Sequence, residues 1–323
     1  HIISRNTNRC ITTGEMVGRG LLNSDTPPTV ETHEKETMFI PSVIGCVPLI
    51  KSWQKLIPSF PSNYSSFSEY EHLLFPHAEI NGEHFNTFDL LQEAAAYRAM
   101  DNAGMNWTSF NYTEELKKEV EAMLSKWDNF FSGTDARLPN PTVIRFLGGE
   151  ATNSIIESMQ KRWECVVANN CAHLKLFAIS TQEHTVFPVL VGLGLLQAVV
   201  GTDPGLPYNA MLLTELHRTG GKPFVKVFYK KGHGSEMRDV TKDVRNCGAS
   251  DEKGCPLSNY TSCCDNYRLS NVVQWCAGTD DVTTTSLPSL TSTQPDDDYD
   301  AAKSASVSHA LFTALLVALY SMH

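Results

Sequence analysis

The pattern of hydrophobic and polar positions predicts a mixed α/β chain. The stretch Leu174–Leu196 opens with apolar residues typical of a buried strand, passes through a polar turn at Ser180–Thr185, and continues as an apolar helix. A capped helix is predicted over Asn8–Leu22, after a short start that could be the end of a strand. Strand-to-helix turns are common ligand sites, because the first N–H groups of a helix carry partial positive charge.

The remaining periodic segments complete this picture. Apolar residues at helical spacing predict covering helices near Thr87–Ala103, Thr113–Phe131 and Gly149–Val166. Two further strands, Met211–Arg218 and Phe224–Lys231, are separated by the turn "TGGKP" and suit a hairpin or an edge pair.

Composition and charge narrow the partners. The 323 residues are 41% hydrophobic, which is ordinary for a chain that buries a globular core. The formal net charge of -10 predicts no nucleic-acid partner, because binding a phosphate backbone needs a basic surface. A local basic pocket for a small anion is still allowed.

Cysteines and glycosylation sequons favour the secretory pathway. The nine cysteines lack the paired spacing of zinc sites, so disulfides are the favoured interpretation and no metal is expected. An odd count leaves at least one thiol free, paired outside the chain, or paired with a residue upstream. Four N-x-S/T sequons agree with a glycoprotein, and they lie at Asn63, Asn106, Asn111 and Asn259.

The C-terminal part is predicted to be a stalk followed by an anchor signal. Residues 277–300 are rich in Ser and Thr with almost no large apolar residue, so they cannot bury a core. Residues 301–323 contain small residues, a polar spacer and an apolar tail, the order of a GPI-attachment signal. The alternative is an ordinary C-terminal hydrophobic tail. We therefore expect a lipid anchor at the extracellular face of the cell membrane, with a lysosomal or secreted location as alternatives.

Seven segments in a fixed order carry a family resemblance. They are "NTNRCITT", "GCVPL", "GGEATNSIIESMQKR", "LKLFAISTQEHTVFPVLVGLGL", "GLPYNAMLLTELHR", "FVKVFYKK" and "CPLSNY". Over residues 1–276 the chain resembles the histidine acid phosphatases, the branch with the lysosomal and prostatic-type enzymes. The resemblance implies an α/β domain with a central mixed sheet flanked by helices and a helical cap inserted at roughly residues 47–135. It also implies hydrolysis of phosphate monoesters through a phosphohistidine without any cofactor, and it allows a homodimer.

The resemblance also implies roles for individual residues. The family's nucleophile is the histidine of an Arg-His-Gly motif at the end of the first strand. This chain lacks that motif, and we expect it upstream of His1. The family's histidine and acid fall on Gln182 and Glu183, so Glu183 is the candidate general acid. A phosphate-binding arginine of the family falls on Ile3, which cannot replace it.

Two nearby residues could supply the phosphate-binding groups that Ile3 and Gln182 do not provide. In an extended strand, residues i and i+2 point to the same face, so Arg5 is expected to project on the same side as Ile3. His184 likewise lies two residues after Gln182. Arg5, Gln182 and His184 are therefore candidate phosphate ligands. The alternative is that Arg5 and His184 are surface residues at the rim.

The family's disulfide framework can be carried over in part. It implies two bridges, Cys46–Cys276 and Cys247–Cys255. The remaining pairs are guesses: Cys165 with Cys171, and one of Cys263 or Cys264 with Cys10 or an upstream residue.

Three functions are consistent with these patterns. The first is an acid phosphatase held at the cell surface. The second is a catalytically degenerate member that acts as a surface glycoprotein or binding module, suggested by Ile3 and Gln182. The third is an enzyme tuned to another ester, such as an inositol or sugar phosphate.

Overall fold

A computed structural model describes residues 1–32, 46–56, 78–80, 83–85, 118, 140–171, 176–201, 206, 209–232, 234–278 and 313–320. The strands in chain order are β1 (Ile2–Ser4), β2 (Val30–Thr32), β3 (Ala78–Ile80), β4 (Glu83–Phe85), β5 (Leu176–Gln182), β6 (Ala210–Thr219), β7 (Lys222–Lys230), β8 (Met237–Asp239), β9 (Cys255–Pro256) and β10 (Thr313–Tyr320). The helices are α1 (Asn8–Leu22), α2 (Val47–Leu56), α3 (Pro141–Val167), α4 (Glu183–Leu193), α5 (Leu196–Val199), α6 (Leu257–Ser262) and α7 (Val272–Cys276).

A mixed sheet organises the fold. Its strand order is β2-β1-β5-β10-β6-β7-β8, with β9 paired to β7 and the β3–β4 hairpin separate. β1 runs parallel to β2 and β5, whereas β7 runs antiparallel to both of its neighbours, β6 and β8. A mixed sheet flanked by helices is the predicted fold class, which is confirmed.

The two faces of the parallel half pack against different helices. Ile2 and Ala178 pack with Val17 of α1. Ile3 and Ile179 instead belong to the main core, together with residues of α3 and α4. Because neighbouring residues of a strand point to opposite faces, α1 covers one side of the sheet and α3 and α4 cover the other.

Helix α3 begins eight residues before the predicted start at Gly149. Asn140 caps it by accepting hydrogen bonds from the N–H groups of Thr142 and Val143, and Pro141 occupies the first turn. The glycine at 149 and its neighbour Gly148 are interior helix positions. They allow close packing, since a Cβ at Gly148 would lie 2.6 Å from Cβ of Pro188.

The predicted hairpin is confirmed. β6 and β7 are joined by Gly220 and Gly221, whose φ angles of 58° and 76° suit the two-residue turn that antiparallel strands favour.

The nine cysteines form four disulfides and leave one thiol. The structure pairs Cys46–Cys276, Cys165–Cys171, Cys247–Cys255 and the neighbours Cys263–Cys264. The guess that Cys10 pairs with Cys263 or Cys264 is therefore wrong in this structure, because those two cysteines pair with each other. The Cys10 side chain is buried and has no disulfide partner.

Part of the predicted tail is a strand of the sheet. β10 runs antiparallel to β5 and parallel to β6, with seven paired residues on each side. A nearly continuous apolar run suits a strand with neighbours on both edges.

Several predicted segments lie outside the described residues: the stalk beyond Gly278, most of the cap, and the helices Thr87–Ala103 and Thr113–Phe131. None of the helices that the structure describes has the length and apolar character to cross a membrane.

Candidate anion site

Two helix N-termini lie side by side at one edge of the sheet. β1 and β5 are parallel neighbours with Ser4 opposite Ser180, so their carboxyl ends share that edge. Adjacent strands lie about 4.8 Å apart. α1 starts at Asn8 after a short connection, and α4 starts directly after Gln182. Neither N-cap side chain, Thr7 or Gln182, bonds to its own helix. The edge therefore presents two positive helix ends to an anion.

The Gln182 side chain contains a buried donor that has no acceptor among the described residues. The side chain is 1% exposed, and its Oε1 accepts a hydrogen bond from the Arg5 guanidinium. Because a guanidinium only donates, this contact fixes the oxygen toward Arg5 and turns Nε2 the other way. That Nε2 is buried and has no hydrogen-bond partner within the part of the chain that the structure describes. A buried donor left unsatisfied costs about 1–3 kcal/mol, and an acceptor supplied by a bound ligand would offset that cost.

Glu183 places a carboxyl group at the same helix end. It is the first residue of α4 and is 6% exposed. A carboxylate near a helix N-terminus is stabilised by the helix dipole, which explains why an acid is tolerated here while buried. Among the described residues the site thus combines anion-binding groups with one acid, Glu183, which in its protonated form can give a proton to a departing oxygen.

The structure brings three of the predicted site residues together. Arg5 and Gln182 are in contact, and Glu183 follows directly. Ile3 is buried in the main core and takes no part in the site. β1 ends at Ser4, so strand alternation does not place Arg5; its guanidinium reaches across to β5 instead. His184 lies in the first turn of α4, but its side chain falls outside the described residues.

Sequence reasoning missed the buried hydroxyl groups behind the site. The predicted turn at Ser180–Thr185 is in fact the end of β5 followed at once by α4. Ser180 Oγ donates to the Cys10 carbonyl, and Thr181 Oγ1 donates to Thr185 Oγ1. Polar residues in a strand signal such bonds only when their partners are known, and Cys10 lies 170 residues away.

The donor set suits an anion. Within the described ranges, no group of three or more His, Cys, Asp or Glu side chains could hold a metal ion. A guanidinium, an amide N–H2 and backbone N–H groups are donors, and phosphate oxygens are strong acceptors of such bonds.

Comparison with known proteins identifies the family. The profile of the histidine phosphatase superfamily (branch 2) matches residues 68–230, which is half of the chain. The chain belongs to this superfamily, and the predicted resemblance is confirmed at that level.

Among curated proteins, nematode acid phosphatases are similar to this chain. "Putative acid phosphatase 1" of Caenorhabditis briggsae is 24% identical over 288 residues, covering 83% of this chain and 64% of that protein. The Caenorhabditis elegans protein of the same name is 23% identical over 291 residues, with the same coverage. "Putative acid phosphatase 10" of Caenorhabditis elegans is 29% identical over 171 residues, 48% of this chain and 41% of that protein. The chain thus spans less than two thirds of the length of these relatives.

Proposed function

We propose that the protein hydrolyses phosphate monoesters and binds the phosphoryl group between the N-termini of α1 and α4. The observation that carries this proposal is the buried Nε2 of Gln182, which is oriented by Arg5 and lacks an acceptor. Membership of the histidine phosphatase superfamily and the similarity to proteins named acid phosphatase support it.

In this proposal each residue has a defined task. Arg5 supplies positive charge, and Gln182 and the first N–H groups of the two helices donate hydrogen bonds to phosphate oxygens. Glu183 gives its proton to the leaving alkoxide as the phosphoryl group moves to a histidine nucleophile. Water then attacks the phosphohistidine and releases phosphate. In this proposal the nucleophile is the histidine of the Arg-His-Gly motif that the family resemblance implies.

A second candidate is an anion-binding member without turnover. It is favoured by Ile3, which is buried in the core where the family has a phosphate-binding arginine, and by the uncharged amide of Gln182. Loss of one charge contact to a transition state reduces a rate by about 100- to 1,000-fold. Such a protein would bind phosphate and hydrolyse nothing.

Two measurements on the complete protein separate these candidates. Turnover of an aryl phosphate at acidic pH is measured together with the equilibrium binding of inorganic phosphate. Binding with turnover supports the enzyme, and binding without turnover supports the degenerate member. Absence of both contradicts the proposed site.

We further propose that the protein is a cell-surface glycoprotein with a lipid anchor, for which residues 301–323 contain the attachment signal. The disulfides support a secretory route, and Asn259 is an exposed sequon in α6. The other sequons, Asn63, Asn106 and Asn111, lie outside the described residues. Anchor attachment would remove the residues that form β10, so the anchored molecule and the ten-stranded chain described above are alternative states. Intact-mass measurement of protein from a secretory host, before and after phospholipase treatment, tests the anchor.

A further inference from the structure

We infer that Ser180 is a positioning residue for the anion site: its hydroxyl holds the start of α1 against β5, and so sets Arg5 relative to Gln182. This inference rests on the proposed phosphate site. It assigns Ser180 no contact with substrate.

Ser180 of β5 hydrogen-bonds to α1 through its side chain and to the segment just before α1 through its backbone. The residue has 0% exposure, and its Oγ donates to the Cys10 carbonyl oxygen at 2.7 Å. Its own carbonyl oxygen accepts from the Arg5 N–H at 3.0 Å. Cys10 lies in the first turn of α1 and Arg5 lies just before that helix. One residue of β5 therefore holds the connection at both of its ends.

The position of Ser180 in β5 explains why removal of its hydroxyl group would affect the site. Ser180 and Gln182 lie two positions apart, so their side chains lie on the same face of β5, the face covered by α1. Gln182 contacts Arg5 there, while Ser180 contacts Cys10. Both bonds thus cross the same strand-to-helix junction.

Removing the hydroxyl should affect geometry more than stability. The Cys10 carbonyl lies within a helix and has a second lone pair, so loss of the Ser180 bond costs about 1 kcal/mol. Without it, α1 can shift relative to β5 and change the Arg5 to Gln182 spacing. Misplacement by about 1 Å can reduce the function of a preorganised site by up to about 100-fold.

Cys10 provides a built-in reporter of this junction. It is the cysteine that forms no disulfide, and its side chain is buried. Its reaction with a thiol reagent in the folded protein therefore measures how often the first turn of α1 opens. If Ser180 contributed only to global stability, its substitution would change the Cys10 reaction rate no more than the change in stability explains.

The experiment uses the full chain, inorganic phosphate as the probe, and Ser180→Ala with two controls. Ser158→Ala removes a similar hydroxyl bond, from Ser158 Oγ to the Ile155 carbonyl at 2.7 Å, on a helix away from the site. Val225→Ala destabilises the buried side of β7 without touching the site. Phosphate Kd, Tm and the Cys10 reaction rate are measured for each variant.

We expect Ser180→Ala to weaken phosphate binding by at least about tenfold and to speed the Cys10 reaction. Both controls should keep the Kd of the unmodified chain, and Val225→Ala should lower Tm at least as much as Ser180→Ala. Equal Kd values and equal Cys10 reaction rates in Ser180→Ala and Val225→Ala would overturn the positioning role of Ser180 but not the proposed phosphate site. If the unmodified chain binds no phosphate, both the proposed phosphate site and the role of Ser180 are contradicted. The two failures therefore give different results.

Discussion

At the scale of single residues, the site depends on how one amide is oriented. The family resemblance predicted Gln182 and Glu183 as site residues, and strand alternation from Ile3 suggested Arg5. The contact between Arg5 and Gln182 was not predictable, because it joins residues 177 positions apart. The buried state of Ser180 was equally hidden, since its partner Cys10 is remote in sequence.

The first prediction concerns the Gln182 donor. Gln182→Leu removes it, and we expect phosphate binding to weaken by about tenfold, the value of a hydrogen bond to a charged group. Gln182→Glu should weaken binding further, because a carboxylate repels the anion. Isothermal titration with inorganic phosphate measures both. Gln160→Leu on α3 is the matched control and should bind normally; equal Kd values in all variants would contradict the role of Gln182.

The second prediction concerns Glu183 as general acid. In the complete protein, Glu183→Gln should slow hydrolysis of an alkyl phosphate by about 100-fold or more, because an alkoxide needs a proton as it leaves. Hydrolysis of an aryl phosphate with an acidic phenol should change much less. The ratio of the two kcat values measures the effect. A uniform loss on both substrates would show that Glu183 serves the fold rather than proton transfer.

At the scale of elements, local pattern located α1, α3, α4 and the strands β5, β6 and β7, but not all their ends and not the shorter elements. α1, β6 and β7 follow from periodicity, capping and turn residues, which are local signals. The start of α3 was missed because Gly148 and Gly149 resemble a helix boundary. Their role is tertiary: Gly148 lies against Pro188 of α4 and Gly149 against Leu269.

The third prediction compares two helical glycines. Gly148→Ala should destabilise the fold by about 1–3 kcal/mol, since its Cβ would lie 2.6 Å from Pro188 Cβ and 3.0 Å from the Val189 nitrogen. Gly20→Ala on α1 has no atom within 4 Å of its new Cβ. It should stabilise the fold by up to about 1 kcal/mol, through helix propensity. Denaturant unfolding of both variants is the test, and a neutral Gly148→Ala would mean that α3 and α4 pack less closely.

At the scale of the whole molecule, the fold class and the family were predictable, but the place of the C-terminal tail was not. By composition, residues 313–320 are an apolar segment that is expected to be removed from water. Insertion into a membrane as an anchor signal and pairing as a strand of the sheet would both achieve this. The choice depends on whether a gap exists between β5 and β6, which is a property of the complete sheet. In this structure β10 fills that gap.

The fourth prediction tests that placement. In the full chain, the backbone N–H groups of residues 314–319 are paired between two strands and should exchange with solvent as slowly as those of β5. Hydrogen exchange followed by mass spectrometry measures this. Exchange as fast as in an unfolded peptide would contradict β10 and would favour the anchor-signal interpretation of residues 301–323.

The central claim is that an anion binds between the N-termini of α1 and α4 through the Gln182 amide. The most direct measurement is a phosphate titration of the ¹⁵N-labelled chain by NMR, with the Gln182 side-chain signal assigned by its loss in Gln182→Leu. We expect this signal and the backbone N–H signals of Asn8–Cys10 and Glu183–Thr185 to shift together and to saturate. Saturable shifts elsewhere, with these signals unchanged, would contradict it.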